Sequence, residues 1–217
     1  MELIKDNIYH IYNQGNNRQK IFYNRDNYLF FLQKMNDYLL PYCDVLVWCL
    51  MPNHFHWMVY VRETELESVM RRGGTEIDRV TSNREASRGA TQSHTPTVSN
   101  INQAIGIMLS SYTRAINQQQ SRSSSLFRQK TKADCITKPI EVSPSYYNLG
   151  FGTLIFIPDP DNDYPQICFN YIHQNPLKGG LVKNPEDWEF SSFRDLSGLR
   201  NGKLVCRQRV DEFSLKL

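Results

Sequence analysis

Residues 45–61 read VLVWCLMPNHFHWMVYV, the longest run of apolar and aromatic residues around a single turn signal in the chain. Two runs rich in aliphatic and aromatic residues flank Pro52 and Asn53, a pair that is typical of a tight turn. We therefore predict two strands, over residues 45–51 and 54–61, that pair as an antiparallel hairpin.

The second of these strands carries two histidines. Because side chains alternate between the two faces of a strand, His54 and His56 emerge on one face while Phe55 and Trp57 point to the other. Two neutral imidazoles side by side supply half of a divalent metal site. For an isolated His-x-His pair, hydrogen-bonded histidines that bind no metal are the commoner interpretation, so the pair needs support from the rest of the chain.

The remaining elements follow from apolar periodicity and from breaker residues. We predict a strand over 8–13, helices over 25–40 and 101–116, a basic loop running into a strand within 125–136, and a helix over 166–174 that ends at Asn175-Pro176. This order is the split βαβ arrangement of ferredoxin-like folds. The expected class is α+β, with a central antiparallel sheet and helices on one face.

Length and composition fit one globular domain. The chain has 217 residues, and roughly 100 to 200 residues per domain is usual. We predict a single domain over 1–217, interrupted by insertions at about 63–98 and 139–165, where composition changes and helical periodicity is lost, with a C-terminal extension from about 183. The short apolar run in the second insertion is interpreted as a hairpin.

Charge and cysteine usage narrow the class further. The formal net charge of +3 permits a nucleic-acid partner without requiring one. Five cysteines that form no C-x-x-C pair are typical of reduced thiols in a cytoplasmic protein. No apolar run reaches the roughly 18 residues that a membrane span needs, so we expect a cytoplasmic protein with no membrane partner.

Five blocks of sequence, in this order, resemble one known family. They are residues 9–11 (YHI) with 15–18 (GNNR), 51–56 (MPNHFH), 125–130 (SLFRQK), 171–182 (YIHQNPLKGGLV) and 187–193 (DWEFSSF). Together they resemble the single-tyrosine (Y1) HUH transposases, in particular the IS200-like group and its relatives associated with repetitive extragenic palindromes (REP). The resemblance covers about residues 8–62 and 99–195 and leaves the two insertions unmatched.

The resemblance implies an activity and a set of site residues. It implies a metal-dependent endonuclease and strand transferase that acts on single-stranded DNA, often beside a hairpin. His54 and His56 would hold Mg²⁺ or Mn²⁺, and Tyr171 would attack the scissile phosphate to give a 5′-phosphotyrosine and a free 3′-hydroxyl. A phenol with a pKa near 10 is a weak nucleophile at pH 7, so such a reaction needs a cation and fixed geometry.

Two choices within the site depend on helical spacing. Among the 12 tyrosines, Tyr112 lies on an apolar helical stripe and is interpreted as a core residue, whereas Tyr171 matches the family's tyrosine. Asn175 lies one helical turn beyond Tyr171, where the family places a further metal ligand, but it also precedes a proline and is equally consistent with a helix cap. Gln174 is the alternative amide ligand.

Six residues in or next to the matching blocks are predicted to contact DNA: Asn17, Arg18, Lys20, Arg128, Lys130 and Lys132. Solvated surface charge is the usual explanation of such residues. Two further functions remain open, namely a hairpin-DNA-binding protein without catalysis and a metal-dependent nuclease that uses water. The family includes monomers and homodimers, and the sequence does not choose between them.

Overall fold

A computed structural model describes residues 2–66, 100–137 and 164–217, together with the backbone of a hairpin at 145–149 and 152–156. The described strands are β1 (Ile8–Gln14), β2 (Cys43–Met51), β3 (His54–Val61), β4 (Lys132–Cys135), β5 (Ser145–Leu149) and β6 (Gly152–Phe156). The described helices are α1 (Arg25–Tyr38), α2 (Ile101–Gln119), α3 (Tyr164–Lys178) and the short α4 (Phe193–Leu196) and α5 (Arg207–Glu212).

The central sheet has four strands in the order β2-β3-β1-β4, and every neighbouring pair is antiparallel. This order, reached through a βαββαβ succession, is the ferredoxin-like arrangement, so the predicted α+β class is confirmed. The predicted β2–β3 hairpin is present, with its turn at Pro52 and Asn53. The smaller β5–β6 hairpin is also antiparallel and falls within the second predicted insertion.

The two helices of the βαββαβ unit cover one face of the sheet, as predicted. Asn24 caps α1 through a reciprocal capping box, and Asn100 caps α2. The core beneath them is aromatic: Phe31 of α1 packs on Phe55 and Trp57 of β3, with ring centroids 5.4 and 5.8 Å apart. Phe55 and Trp57 are fully buried, which fixes the opposite face of β3 as the one that carries the histidines.

The third helix lies on that opposite face, so the expectation of helices on one face holds for α1 and α2 only. α3 packs on β2 and β3. It also continues through Pro176 to Lys178 instead of ending at Asn175. Asn175 and Pro176 are both buried, and tertiary packing here overrides the local preference of the residue before a proline.

The C-terminal segment covers the outer edge of β2. Backbone hydrogen bonds join Leu50 to Phe190 and Trp48 to Ser192, and Cys206 donates to the carbonyl of Val45. An unpaired edge strand is a site of aggregation, so this cover protects the sheet.

The two predicted insertions fall mostly on residues 67–99 and on parts of 138–163, which lie outside the described residues. The ends of the first insertion meet, since Glu65 and Asn100 form an isolated antiparallel bridge. Within the described residues, no helix combines the length and the apolar character needed to cross a membrane.

We expect Asp195→Ala to lower the free energy of unfolding by about 3 kcal/mol, because it leaves the Arg200 guanidinium without its buried partner. The Asp195 side chain is 1% exposed. Both of its carboxylate oxygens accept hydrogen bonds from the Arg200 guanidinium, and Oδ1 also accepts from the backbone N–H of Gly202. Urea denaturation measures the loss. The matched control is the exposed Asp211, whose replacement by alanine is expected to change stability by less than about 0.5 kcal/mol. Equal effects at the two sites would contradict the role assigned to Asp195.

Candidate active site

A cavity of about 230 Å³ opens on the α3 side of the sheet. Its lining combines imidazole, phenol, amide and cationic groups from three strands, one loop and one helix: Tyr12, Asn13, Gln14, His54, His56, Arg128, Lys130, Lys132 and Tyr171. Six of the ten residues predicted for the site from the sequence line it. The register of the sheet explains why residues of two strands meet in this cavity. Gln14 and Tyr12 on β1 lie directly opposite His54 and His56 on β3.

His54 is held by the residue that precedes it. Its Nδ1 lies 2.6 Å from Oδ1 of Asn53. Since an amide oxygen only accepts, the His54 Nδ1–H donates, and the lone pair resides on Nε2. Burial lowers the pKa of His54 to about 4, so the ring is neutral at pH 7.

His56 is held by a histidine of the neighbouring strand. Its Nδ1 lies 2.8 Å from Nε2 of His10. One ring donates and the other accepts, and an arrangement with His56 as donor places the lone pair of His56 on Nε2. Burial first, and then the proximity of His10 and His54, hold the pKa of His56 well below its usual value. His10 therefore contacts a site residue rather than lining the cavity itself.

The pair has the donor chemistry that a divalent cation needs from histidine. Both rings are neutral, their centroids are 5.0 Å apart, and each Nδ1 is occupied by a hydrogen bond that orients the ring. In the part of the chain that the structure describes, no group of three or more His, Cys, Asp or Glu side chains is placed to hold a metal ion. Further ligands would have to be amide, hydroxyl or phosphate oxygens, or water, which suit Mg²⁺ and Mn²⁺.

Two amides are placed differently with respect to the pair. Asn175 is buried, its side chain donates to the carbonyl of Tyr171 at 3.1 Å, and it is not among the cavity-lining residues. Because α3 continues to Lys178, Asn175 does not cap the helix end. Gln14, which no sequence argument selected, lines the cavity beside His54. Gln174 is exposed on α3.

Tyr171 projects from α3 towards the histidines. Its ring centroid lies 5.5 Å from that of His56 and 6.1 Å from that of His10, edge to face in both cases. The ammonium group of Lys178, two helical turns later, lies 5.2 Å from the centroid of the phenol ring. The structure thus brings together a tyrosine and a histidine pair that are more than one hundred residues apart in the sequence.

The competing tyrosine and histidine lie elsewhere. Tyr112 is fully buried between α1 and α2, and its hydroxyl donates to the carbonyl of Ile21 at 2.8 Å, which confirms its assignment to the core. His173 is 3% exposed and its Nε2 lies 3.0 Å from the Ser192 hydroxyl, so it does not share the cavity with Tyr171.

The predicted basic residues divide into two groups. Arg128, Lys130 and Lys132 are exposed and line the cavity, and the Lys132 ammonium group lies 5.7 Å from the centroid of the Tyr12 ring. Asn17, Arg18 and Lys20 are exposed but do not line it.

The loop that carries this second group reaches the rim of the site through Asn53. The Asn53 side chain donates to the carbonyl of Arg18, and the backbone N–H of Gly15 donates to the carbonyl of Asn53. Asn53 therefore joins the loop to His54.

Tyr12 was also missed from the sequence. It faces the cavity from β1, and burial, with Asp134 adding to it, raises its pKa to about 12, so it stays protonated at pH 7. The signal for Tyr12 and Gln14 was available in the alternation of β1, where both share the face of His10.

The fold and the cavity define an α+β protein with a ferredoxin-like sheet, a histidine pair on its central strand and a tyrosine on a helix laid across that face. One solved structure with this fold is a REP-associated tyrosine transposase bound to a REP hairpin. It superposes with a TM-score of 0.51 over 91% of this chain and 83% of that chain, at 15% identity, a likeness that establishes the fold alone. No protein-family model matches the sequence, and no curated protein does.

Proposed function

We propose that this protein is a metal-dependent single-stranded DNA endonuclease and strand transferase, with Tyr171 as the nucleophile and a DNA hairpin beside the cleavage site. The observation that carries the proposal is the shared cavity, in which the Tyr171 ring lies 5.5 Å from His56 and three cationic side chains complete the lining. A solved structure of similar fold is a REP-associated tyrosine transposase bound to a REP hairpin, which supports a DNA hairpin as the substrate class proposed here.

The chemistry is an exchange of one phosphoester for another. The Tyr171 phenol loses its proton to solvent and its oxygen forms a bond to phosphorus. The bond from phosphorus to the 3′ oxygen breaks, and that oxygen takes up a proton to become a 3′-hydroxyl. The number of phosphoester bonds is unchanged, so the 5′-phosphotyrosine retains the energy needed to rejoin a strand.

The histidines would hold the cation. His54 and His56 would offer Nε2, with Asn53 and His10 orienting the rings through Nδ1. When bound, Mg²⁺ or Mn²⁺ supplies charge neutralisation at the scissile phosphate. Two amides are candidates for a further metal ligand. The family resemblance suggests Asn175, whereas the lining of the cavity suggests Gln14.

The cationic residues would bind the DNA backbone. Arg128, Lys130 and Lys132 are exposed at the cavity, where they would pair with phosphates on both sides of the scissile bond. The loop that is hydrogen-bonded to Asn53 would extend this contact with the DNA through Asn17, Arg18 and Lys20. Such contacts weaken steeply with salt.

Adduct formation tests the proposal. The protein is incubated with a panel of labelled single-stranded hairpin oligonucleotides and Mn²⁺, and denaturing gels are scored for a labelled protein band. We expect a covalent adduct that carries the 5′ phosphate and needs the metal. Tight binding of hairpins with no adduct on any substrate would contradict the proposed enzymatic activity.

That second outcome identifies the competing function, a hairpin-DNA-binding protein without catalysis. One observation favours it: within the described residues, no group of three or more His, Cys, Asp or Glu side chains is placed to hold a metal ion.

A further inference from the structure

A second depression lies on the other side of the basic segment. It runs between α2 and the residues that lead into β4, as two adjoining cavities of about 660 and 360 Å³. The two cavities share Gly106 and Leu109 on the helix side and Gln129 and Thr131 on the opposite wall, so they form one continuous groove.

This groove is continuous with the tyrosine cavity. Lys130 and Lys132 line both the tyrosine cavity and the larger part of the groove, and Arg128 lines both the tyrosine cavity and the smaller part. The three cations are exposed at alternate positions of one short segment that leads into β4. The segment 128–132 is therefore a basic ridge with the tyrosine cavity on one side and the groove on the other.

Gly106 lies at the helix side of the groove and is exposed in the middle of α2. A glycine there destabilises a helix relative to alanine. Packing does not require it, because a Cβ at this position would meet no atom within 4 Å. What the missing side chain does is leave the groove open over the helix backbone.

We infer that this groove binds the single-stranded DNA that continues from the tyrosine cavity across the basic ridge. The inference rests on the proposed function, which places a single strand in the cavity. Phosphates would pair with Arg128, Lys130 and Lys132 as the strand crosses the ridge, and the next nucleotides would lie over Gly106.

Charge supports this occupant over a peptide or a neutral ligand. Among the described residues that line the groove, Asp134 is the one acid. Leu109 supplies apolar surface, and Gln129 and Ser110 supply polar groups that suit sugars and base edges without selecting a sequence.

The test compares the affinities for two fluorescent probes, the oligonucleotides dT6 and dT20, at fixed salt. The measured quantity is the ratio of their dissociation constants, which corrects for any change common to both. In the unmodified protein we expect dT20 to bind at least about ten-fold tighter than dT6, because only the longer strand crosses the ridge into the groove. Gly106→Trp fills the groove and is expected to reduce this ratio to about three or less. Gln118→Trp, which adds the same side chain at an exposed position of α2 that does not line the groove, is the matched control and should keep the full ratio.

Ser110→Trp, at an exposed position on the same groove, gives an independent test if Gly106→Trp does not fold. An unchanged ratio in the folded tryptophan variants would overturn the inference. Adduct formation separates this failure from that of the proposed function: adducts with an unchanged ratio reject the groove alone, whereas a reduced ratio without adducts leaves the groove as the strand site of a binding protein.

Discussion

Replacing Tyr171 by phenylalanine is expected to abolish the covalent adduct and strand cleavage together, by at least about 10³-fold, because the variant has no oxygen to attack phosphorus. Phenylalanine keeps the ring, so the edge-to-face contacts with His56 and His10 and the contact with the Lys178 ammonium group remain possible. Binding of single-stranded DNA should therefore stay within about three-fold, since the loss is one hydroxyl and its hydrogen bonds. Single-turnover reactions with a labelled hairpin substrate measure adduct formation and cleavage, and a gel-shift titration with the same substrate measures binding.

Tyr112→Phe is the control that the chain offers for this experiment. It removes the buried hydrogen bond from the Tyr112 hydroxyl to the carbonyl of Ile21, at a cost of about 1 kcal/mol in stability, and it leaves the cavity untouched. Cleavage should persist in this variant.

The same pair of variants separates the tyrosine mechanism from a nuclease that uses water. A nuclease of that kind would still cut DNA when Tyr171 is phenylalanine, and its product would carry no protein. Cleavage without an adduct in Tyr171→Phe would therefore reject Tyr171 as the nucleophile. It would not test whether the histidine pair binds the metal.

The sequence predicted best what depends on local pattern. The β2–β3 hairpin follows from two apolar runs about Pro52 and Asn53, and the same alternation put His54 and His56 on one face and Phe55 and Trp57 in the core. Helical periodicity assigned Tyr112 to the core, whereas the choice of Tyr171 came from the family resemblance. These assignments succeed because side-chain direction is fixed by the backbone period, whatever packs nearby.

What the sequence did not predict depends on contacts between distant segments. The bond between His10 and His56 requires the pairing of β1 with β3 in a particular register, and an isolated strand cannot reveal it. The continuation of α3 through Pro176 is set by burial against the sheet, which outweighs the local signal to stop. Gln14 was passed over because an amide in a strand has no motif of its own.

We also expect a large effect of His56→Ala, which should weaken metal binding and, through it, adduct formation. It removes one of the two imidazoles, and we expect the affinity for Mn²⁺, measured by calorimetry without DNA, to fall by at least about 100-fold. Adduct formation should fall with it and recover in part at high Mn²⁺ concentration. An unaltered affinity for Mn²⁺ would show that the histidine pair is not the metal site.

His10→Phe distinguishes a ligand from a residue that positions one. The phenylalanine keeps an aromatic ring beside His56 and Tyr12 but cannot accept the His56 Nδ1–H, so the ring of His56 loses the partner that directs its Nε2 lone pair to the cavity. We expect a loss of about ten-fold in Mn²⁺ affinity, smaller than for His56→Ala. His173→Gln, a change at a buried histidine bonded to Ser192 outside the cavity, should leave Mn²⁺ affinity unchanged even where stability falls. The loss of Mn²⁺ affinity is therefore expected to decrease in the order His56, His10, His173. A purely structural effect of losing a buried imidazole would instead affect His173 as much as His10.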